Sequence, residues 1–267
     1  MKLFMITDME GVSALVDHTQ QADPSGRLYE ECRSILIEEV NAVARAAEER
    51  NVERVVVYDT HFFGLNLLPQ RLHPRVWPIL GKPVDNQMDS SYSGLILLGF
   101  HAMADTPAGL LPHTFNPDIK AMYLNGTKVG EIGMEAALAA QESVPVIMVT
   151  ADHKGIEEAQ QLLPGVETVT TKYAIDDHSA LCLPVAESIR RIRDTASKAI
   201  ERLRAGNAFF ELRFSRPFSL LIYLSQKLVL PPNAIPRTCK IQDDCTIEFA
   251  GDSLKEIWLD CRRTMRI

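Results

Sequence analysis

The sequence predicts an α/β fold: a mostly parallel sheet flanked by helices in the N-terminal part, with a smaller α+β subdomain after it. Three observations carry this. Short apolar or β-branched runs alternate with stretches of three-and-four hydrophobic spacing. The early runs end in acids or histidines. The alternation then gives way to a charged helix followed by shorter strand-like segments. The division is placed at 1–184 and 185–267.

Lys2–Thr7 is a short apolar run stopped by Asp8, hence a strand. Asp23-Pro24-Ser25-Gly26 is turn chemistry. After it Leu28, Cys32, Ile35, Leu36, Val40, Val43, Ala44 and Ala47 recur at helical spacing, which predicts a long amphipathic helix. Val52–Tyr58 and Gly94–Gly99 read as further strands. Asn125-Gly126, between Met122–Leu124 and Thr127–Val129, is a two-residue hairpin signal. A helix is expected over Gly130–Gln141 and a buried strand over Val144–Thr150, followed by helix Ile156–Leu163 and strand Val166–Lys172. In the last part Pro184–Arg204 reads as a charged helix, with Phe209–Phe214, Ser219–Leu224 and Thr246–Phe249 as strands. Pro231-Pro232 and Pro236 are breaks, and Ser253–Arg263 is a final helix.

The bulk composition narrows the class. The 267 residues are 46% hydrophobic and 24% charged, ordinary for a globular protein, and the net charge of −7 offers no basic footprint for nucleic acid. No apolar run reaches the length of a transmembrane helix, and the first residues do not form a secretory signal. Five scattered cysteines without a Cys-x-x-Cys pair suggest neither a disulfide framework nor a thiolate zinc site. A cytoplasmic protein is expected, with no membrane or nucleic-acid partner.

The chemistry is positional. Three hydrophobic strands end in metal-type ligands: Asp8-Met9-Glu10-Gly11, Asp59-Thr60-His61 and Gly99-Phe100-His101. Residues two apart on a strand share a side, so Asp8 and Glu10 can converge. Parallel strands would bring His61 and His101 to the same edge. Carboxylates with imidazoles suit zinc, with manganese or cobalt as alternatives. His18, His73, His153 and His178, and the pairs Asp176-Asp177 and Asp243-Asp244, are read as loop or structural groups. Asp59 is either a group that orients a ligand or an acid in a turn.

These motifs carry a resemblance. Thr-Asp-Met-Glu-Gly at 7–11, Asp-Thr-His at 59–61, Leu-Gly-Phe-His-Ala at 98–102, Thr-Pro at 106–107 with His113 after it, and Val-Gly-Glu-Ile-Gly at 129–133 resemble the DppA-type D-aminopeptidase family. The similarity extends to the strand before Asp152 and to Phe249–Ile257, more thinly at the end. It implies a two-zinc metallopeptidase with Asp8, Glu10, His61, His101 and Glu131 as metal ligands, Asp8 bridging, and His113 as the catalytic group. Glu131 comes from the resemblance alone. By itself it is an acid in the first turn of a helix. The implied reaction is attack of a metal-activated water on a short peptide or amide, with a D-residue at its N-terminus. The implied assembly is a homo-oligomer, a decamer in the family.

Two rival readings stay open at this point. Asp8-x-Glu10-Gly11 approaches the opening motif of magnesium phosphohydrolases of the haloacid dehalogenase type, with Gly251-Asp252 as a late motif, although such sites do not call for histidines. A non-catalytic peptide-binding protein on the same scaffold is the other.

Overall fold

The computed structural model describes residues 1–83, 85–207, 209–228 and 235–267. The first part of the chain runs β1 (Lys2–Thr7), α1 (Tyr29–Glu49), β2 (Arg54–Asp59), β3 (Val76–Ile79), β4 (Gly94–Phe100), β5 (Ile119–Leu124) and β6 (Thr127–Val129). It continues through α2 (Glu131–Gln141), β7 (Val146–Asp152), α3 (His153–Leu162), β8 (Glu167–Asp176) and β9 (Ser179–Cys182). The remainder is α4 (Val185–Arg204), β10 (Phe218–Leu224), β11 (Cys239–Asp243), β12 (Thr246–Gly251) and α5 (Leu254–Met265).

The α/β expectation holds. Seven strands form one sheet in the order β3-β2-β1-β4-β7-β8-β9, parallel except for the β8–β9 hairpin. Its central strands are buried on both faces, which is why they read as unbroken apolar runs. Along β1 the sides alternate. Leu3 and Met5 join Leu36 and Val40 of α1 and Ile192 and Ala196 of α4, whereas Phe4 and Ile6 join Ile132 of α2 and Ile156 of α3. Helices therefore cover both faces.

This topology fixes where a ligand can sit. From β1 the chain builds outward through β2 and β3, then crosses back to lay β4 on the other side of β1. Such a reversal opens a crevice at the C-terminal ends of the strands flanking it. Here those ends are Thr7, Asp59 and Phe100, and Thr7 lies opposite Asp59 in β2 and Leu98 in β4.

The second sheet is antiparallel, ordered β11-β12-β10-β5-β6. Asn125 and Gly126 turn the β5–β6 hairpin with φ of 48° and 81°, as a tight two-residue hairpin turn needs. Helix α5 lays Ile257, Trp258 and Cys261 on this sheet together with Met134 of α2. Helix α4 follows residue 184 yet packs on α1 against the parallel sheet, while β5, from 119–124, pairs with β10 and carries β6 on its other side.

Several local expectations are corrected. Residues 209–214 form no strand; the chain there is irregular before β10. Strand β3 was not foreseen because Pro78 sits inside it, which an edge strand tolerates. Strand β11 is mostly exposed and gives no hydrophobic signal. Helix α3 begins earlier than the spacing suggests, since the Asp152 side chain caps it by accepting from Lys154 N and Gly155 N. The break expected at Pro231-Pro232 lies outside the described residues. Among the described residues no helix is long and apolar enough to cross a membrane.

Candidate metal centre

Strand β1 delivers Asp8 and, through a sharp turn, Glu10. Gly11 makes that turn possible: a Cβ there would lie 1.7 Å from the carbonyl oxygen of Phe100. The backbone is stapled at this point, with Gly11 N donating to Gly99 O at 2.8 Å and Thr171 Oγ1 donating to Gly11 O at 2.7 Å. The Lys172 ammonium, fully buried, donates to the carbonyl oxygens of Glu10, Val12 and Leu15 at 2.5, 2.7 and 2.6 Å. Three donors meet three acceptors. Burial pushes the Lys172 amine down to about 8, against the pull of nearby acids such as Asp152, while three carbonyl acceptors suit the three N–H groups of an ammonium.

Strand β2 delivers His61. Its Nε2 lies 3.0 Å from Ala22 O, an acceptor only, so the proton sits on Nε2 and Nδ1 presents its lone pair. That Nδ1 lies 3.3 Å from Asp8 Oδ1 and 3.1 Å from Glu10 Oε2. Strand β4 delivers His101 with the opposite assignment. Its Nδ1 faces Ala102 O at 3.0 Å, leaving Nε2 to point at Asp8 Oδ2 at 3.2 Å and Glu131 Oε1 at 3.4 Å. Asp8 thus turns one oxygen to each histidine. Glu131 opens α2 and accepts from Phe115 N at 2.7 Å.

His113 stacks on His101 with ring centroids 4.0 Å apart and planes 7° from parallel. Its Nδ1 faces Leu111 O at 3.0 Å, so Nε2 is free to face the cavity, 3.9 Å from Glu131 Oε1. Leu111 and Phe115 on either side hold φ of 50° and 56°, a left-handed backbone that non-glycine residues adopt at a cost of order 1–3 kcal/mol.

The residues suit divalent cations. Asp8, Glu10, His61, His101 and Glu131 are all buried. Asp8 Oδ2, Glu10 Oε2 and His101 Nε2 have no hydrogen-bond partner, although each has a ligand-type atom close by. Acceptors facing acceptors in a dry site call for shared positive charge. The electrostatics show the same demand for positive charge, which protons on the inward-facing nitrogens meet where a cation does not. Burial alone would raise the Asp8 carboxyl, but the His101 and His61 imidazoles outweigh it and hold it well below the usual range. Burial likewise opposes charge on the imidazoles, yet Glu10 and Asp8 hold His61, and Glu131 and Asp8 hold His101, well above the ordinary histidine value. Two sets of donors lie close enough to hold an ion: Asp8, Glu10 and His61; and His101, His113 and Glu131.

The predicted residues thus converge, Glu131 and His113 included. A model of the D-aminopeptidase family matches residues 1–261. The chain belongs to the D-aminopeptidase family. It is 36% identical over 205 residues to a D-aminopeptidase of Bacillus subtilis (strain 168), covering 75% of this chain and 74% of that relative. Among solved structures it is similar to the Zn-dependent D-aminopeptidase DppA from Bacillus subtilis, described as a self-compartmentalizing protease. That match has a TM-score of 0.89 and 29% identity, over 100% of this chain and 97% of the other.

For this D-aminopeptidase family member the cavity beside the cluster measures about 520 Å³. Asp8, Glu10, His61, His113 and Glu131 line it on one side; Phe62, Phe115 and Trp258 supply apolar wall. His18, read from sequence as structural, also lines it, with Nε2 3.6 Å from Glu10 Oε1. Asp59 does not touch the His61 ring. It accepts from His61 N at 3.3 Å and from Asn66 N and Nδ2 at 2.8 and 2.9 Å, fixing the backbone that carries the histidine. Lys172, Asn66 and Glu135 were not singled out in the sequence. Lys172 gave no signal beyond a lysine at the end of an expected strand, which in the structure runs on to Asp176.

Proposed function

We propose that this protein is a zinc-dependent aminopeptidase acting on short peptides or amides with an N-terminal D-residue. One observation carries the reading: a buried carboxylate, Asp8, presents a separate oxygen to each of two imidazoles delivered by neighbouring strands. In this reading Asp8, Glu10 and His61 would hold one ion, and His101 and Glu131, with the second oxygen of Asp8 beside them, would hold the other. Manganese or cobalt also suits such donors. When bound, the ions supply Lewis-acid charge that makes a water acidic near neutral pH and polarises the scissile carbonyl.

The remaining roles fall to the chain itself. Carbonyl contacts orient both imidazoles so that the correct nitrogen faces the carboxylates. His113 is the one histidine of this group with partial exposure to the cavity. We assign it proton transfer through Nε2 to the leaving amine, with Nδ1 committed to Leu111 O. The aromatic wall keeps bulk water from the reacting carbonyl.

The phosphohydrolase alternative is not favoured. Two histidines crowd Asp8, and Asp252 is not among the residues lining the cavity. A binder without turnover is less favoured too, because every residue of the implied site is present and convergent.

We infer a homo-oligomer, a decamer by family analogy, in the cytoplasm. Exposed apolar side chains at the two edges of the parallel sheet, Trp77 and Leu80 at one and Ile175 and Leu181 at the other, support self-association. All five cysteines are free, which suits a reducing compartment. The test is elemental analysis alongside hydrolysis of D- and L-alanine amides by wild type and His101→Ala. Stoichiometric zinc with hydrolysis of the D-isomer, both lost in the variant, is the expected result. Zinc without turnover of either isomer would sink the peptidase reading.

A further inference from the structure

One acid in the cavity has no part in the centre described above. Glu135 lies one helical turn beyond Glu131 on α2, is 4% exposed, and lines the cavity. Its Oε2 is buried without a hydrogen-bond partner. Burial pushes its carboxyl up to about 7, while the Arg262 and Lys82 charges pull it down and Glu131 adds to the rise. Arg262 is committed elsewhere in part, donating to Tyr58 Oη at 3.1 Å and to Ile267 O at 3.2 Å. A dry carboxylate with an unused oxygen at a cavity wall costs stability, and a cation arriving with the ligand relieves that cost.

We propose that Glu135 anchors the free α-ammonium group of the substrate, so that the cavity selects peptides with an unblocked N-terminus. The proposal rests on the aminopeptidase reading and adds the group that recognises the amine. The spacing fits. One turn of helix separates Glu131 from Glu135 by ~6 Å along the axis. The amine nitrogen of a peptide lies about 2.5 Å from its own carbonyl carbon. A charge-assisted hydrogen bond adds ~2.8 Å. A carbonyl held at the Glu131 end therefore places its ammonium within reach of Glu135. A carboxylate cannot serve a neutral, acylated nitrogen in the same way, because the N-acyl amide has lost the charge and most of the donors.

The test compares zinc-loaded wild type with Glu135→Gln, which keeps the shape and removes the charge. Calorimetry measures binding of D- and L-alaninamide and of their N-acetyl derivatives, and turnover is followed on alanine p-nitroanilide, free and N-acetylated. Wild type should prefer the free amine at least ~10-fold, the scale of one hydrogen bond to a charged group. In Glu135→Gln that preference should collapse through weaker binding of the free amine, with zinc content unchanged and N-acetyl binding unmoved. A variant that keeps the wild-type preference overturns the proposal, and so does wild type without any preference. If Glu135→Gln fails to fold, Glu135→Asp carries the test: it should keep the preference with weaker amine binding, and unchanged amine binding overturns the idea. Amine preference without hydrolysis would sink the peptidase reading and leave the anchor standing; hydrolysis without preference would do the reverse.

Discussion

The ammonium of Lys172 donates to the carbonyl oxygen of Glu10 at 2.5 Å, from a strand three places away from β1 in the parallel sheet. With Val12 O and Leu15 O it gathers the loop that carries Glu10 around one buried charge. Lys172→Met would leave these carbonyls without their donor, at about 1–3 kcal/mol for each orphaned group. We expect a loss of at least ~3 kcal/mol, read as a lower calorimetric Tm, together with weaker zinc retention in chelator competition. Unchanged zinc retention would reduce Lys172 to a purely structural residue.

His101 and His113 stack face to face but should answer mutation differently. His101→Ala removes a fully enclosed donor and should lose bound metal along with activity. His113→Ala should keep its metal by elemental analysis and lose roughly 10²–10⁴-fold in kcat, the usual contribution of a proton-transfer group. Equal metal loss in both variants would make His113 a ligand.

Stability should depend on pH through Glu39, a buried acid on α1 whose Oε1 accepts from Ser13 N at 3.1 Å and Ser13 Oγ at 2.5 Å. Burial raises its carboxyl from 4.5 to about 7, with the Ser13 hydrogen bonds and Lys172 opposing. Because the folded value lies above the unfolded one, its contribution is complete below pH 4.5 and is lost as pH rises through about 7. The full swing is on the order of 3 kcal/mol. Glu39→Gln should therefore unfold at higher denaturant concentration than wild type at pH 8.5, with the advantage gone at pH 4.

Gly11→Ala tests the turn after β1 that carries Glu10. Its Cβ would meet the backbone oxygen of Phe100, which no rotamer change can move. Destabilisation above about 3 kcal/mol is expected, seen as insoluble or zinc-free protein. A soluble variant with normal zinc would show that β4 can shift.

The parallel sheet was legible because its central strands are buried on both faces and the early apolar runs stop at Asp8, Asp59 and Phe100-His101. The positions of Asp8, Glu10, His61 and His101 at or just past those stops were legible because parallel register brings strand ends to one edge; Glu10 itself is set by the turn that Val12 N closes on Met9 O, beyond the end of β1, and not by strand periodicity. Glu131 and His113 were not, because a helix N-terminus and a loop of left-handed residues reach the site only through tertiary packing; family resemblance supplied them. Glu135 and Lys172 were hidden differently. One looks like another polar residue on a helix, and the other like a lysine closing a strand; only burial separates them from solvated counterparts. Strand β3 escaped because a proline inside it masks an edge that needs few donors.

The antiparallel sheet is woven from distant stretches of chain: Leu124 sits opposite Leu220, and Phe249 opposite Leu220 from the other side. The helix after residue 184 closes the far face of the parallel layer. A ribosome releasing this polypeptide must therefore pass α4 before the parallel layer can complete its core, and make nearly all of the chain before the antiparallel layer can. Exchange of terminal segments between relatives would succeed only where both ends of each such pairing travel together.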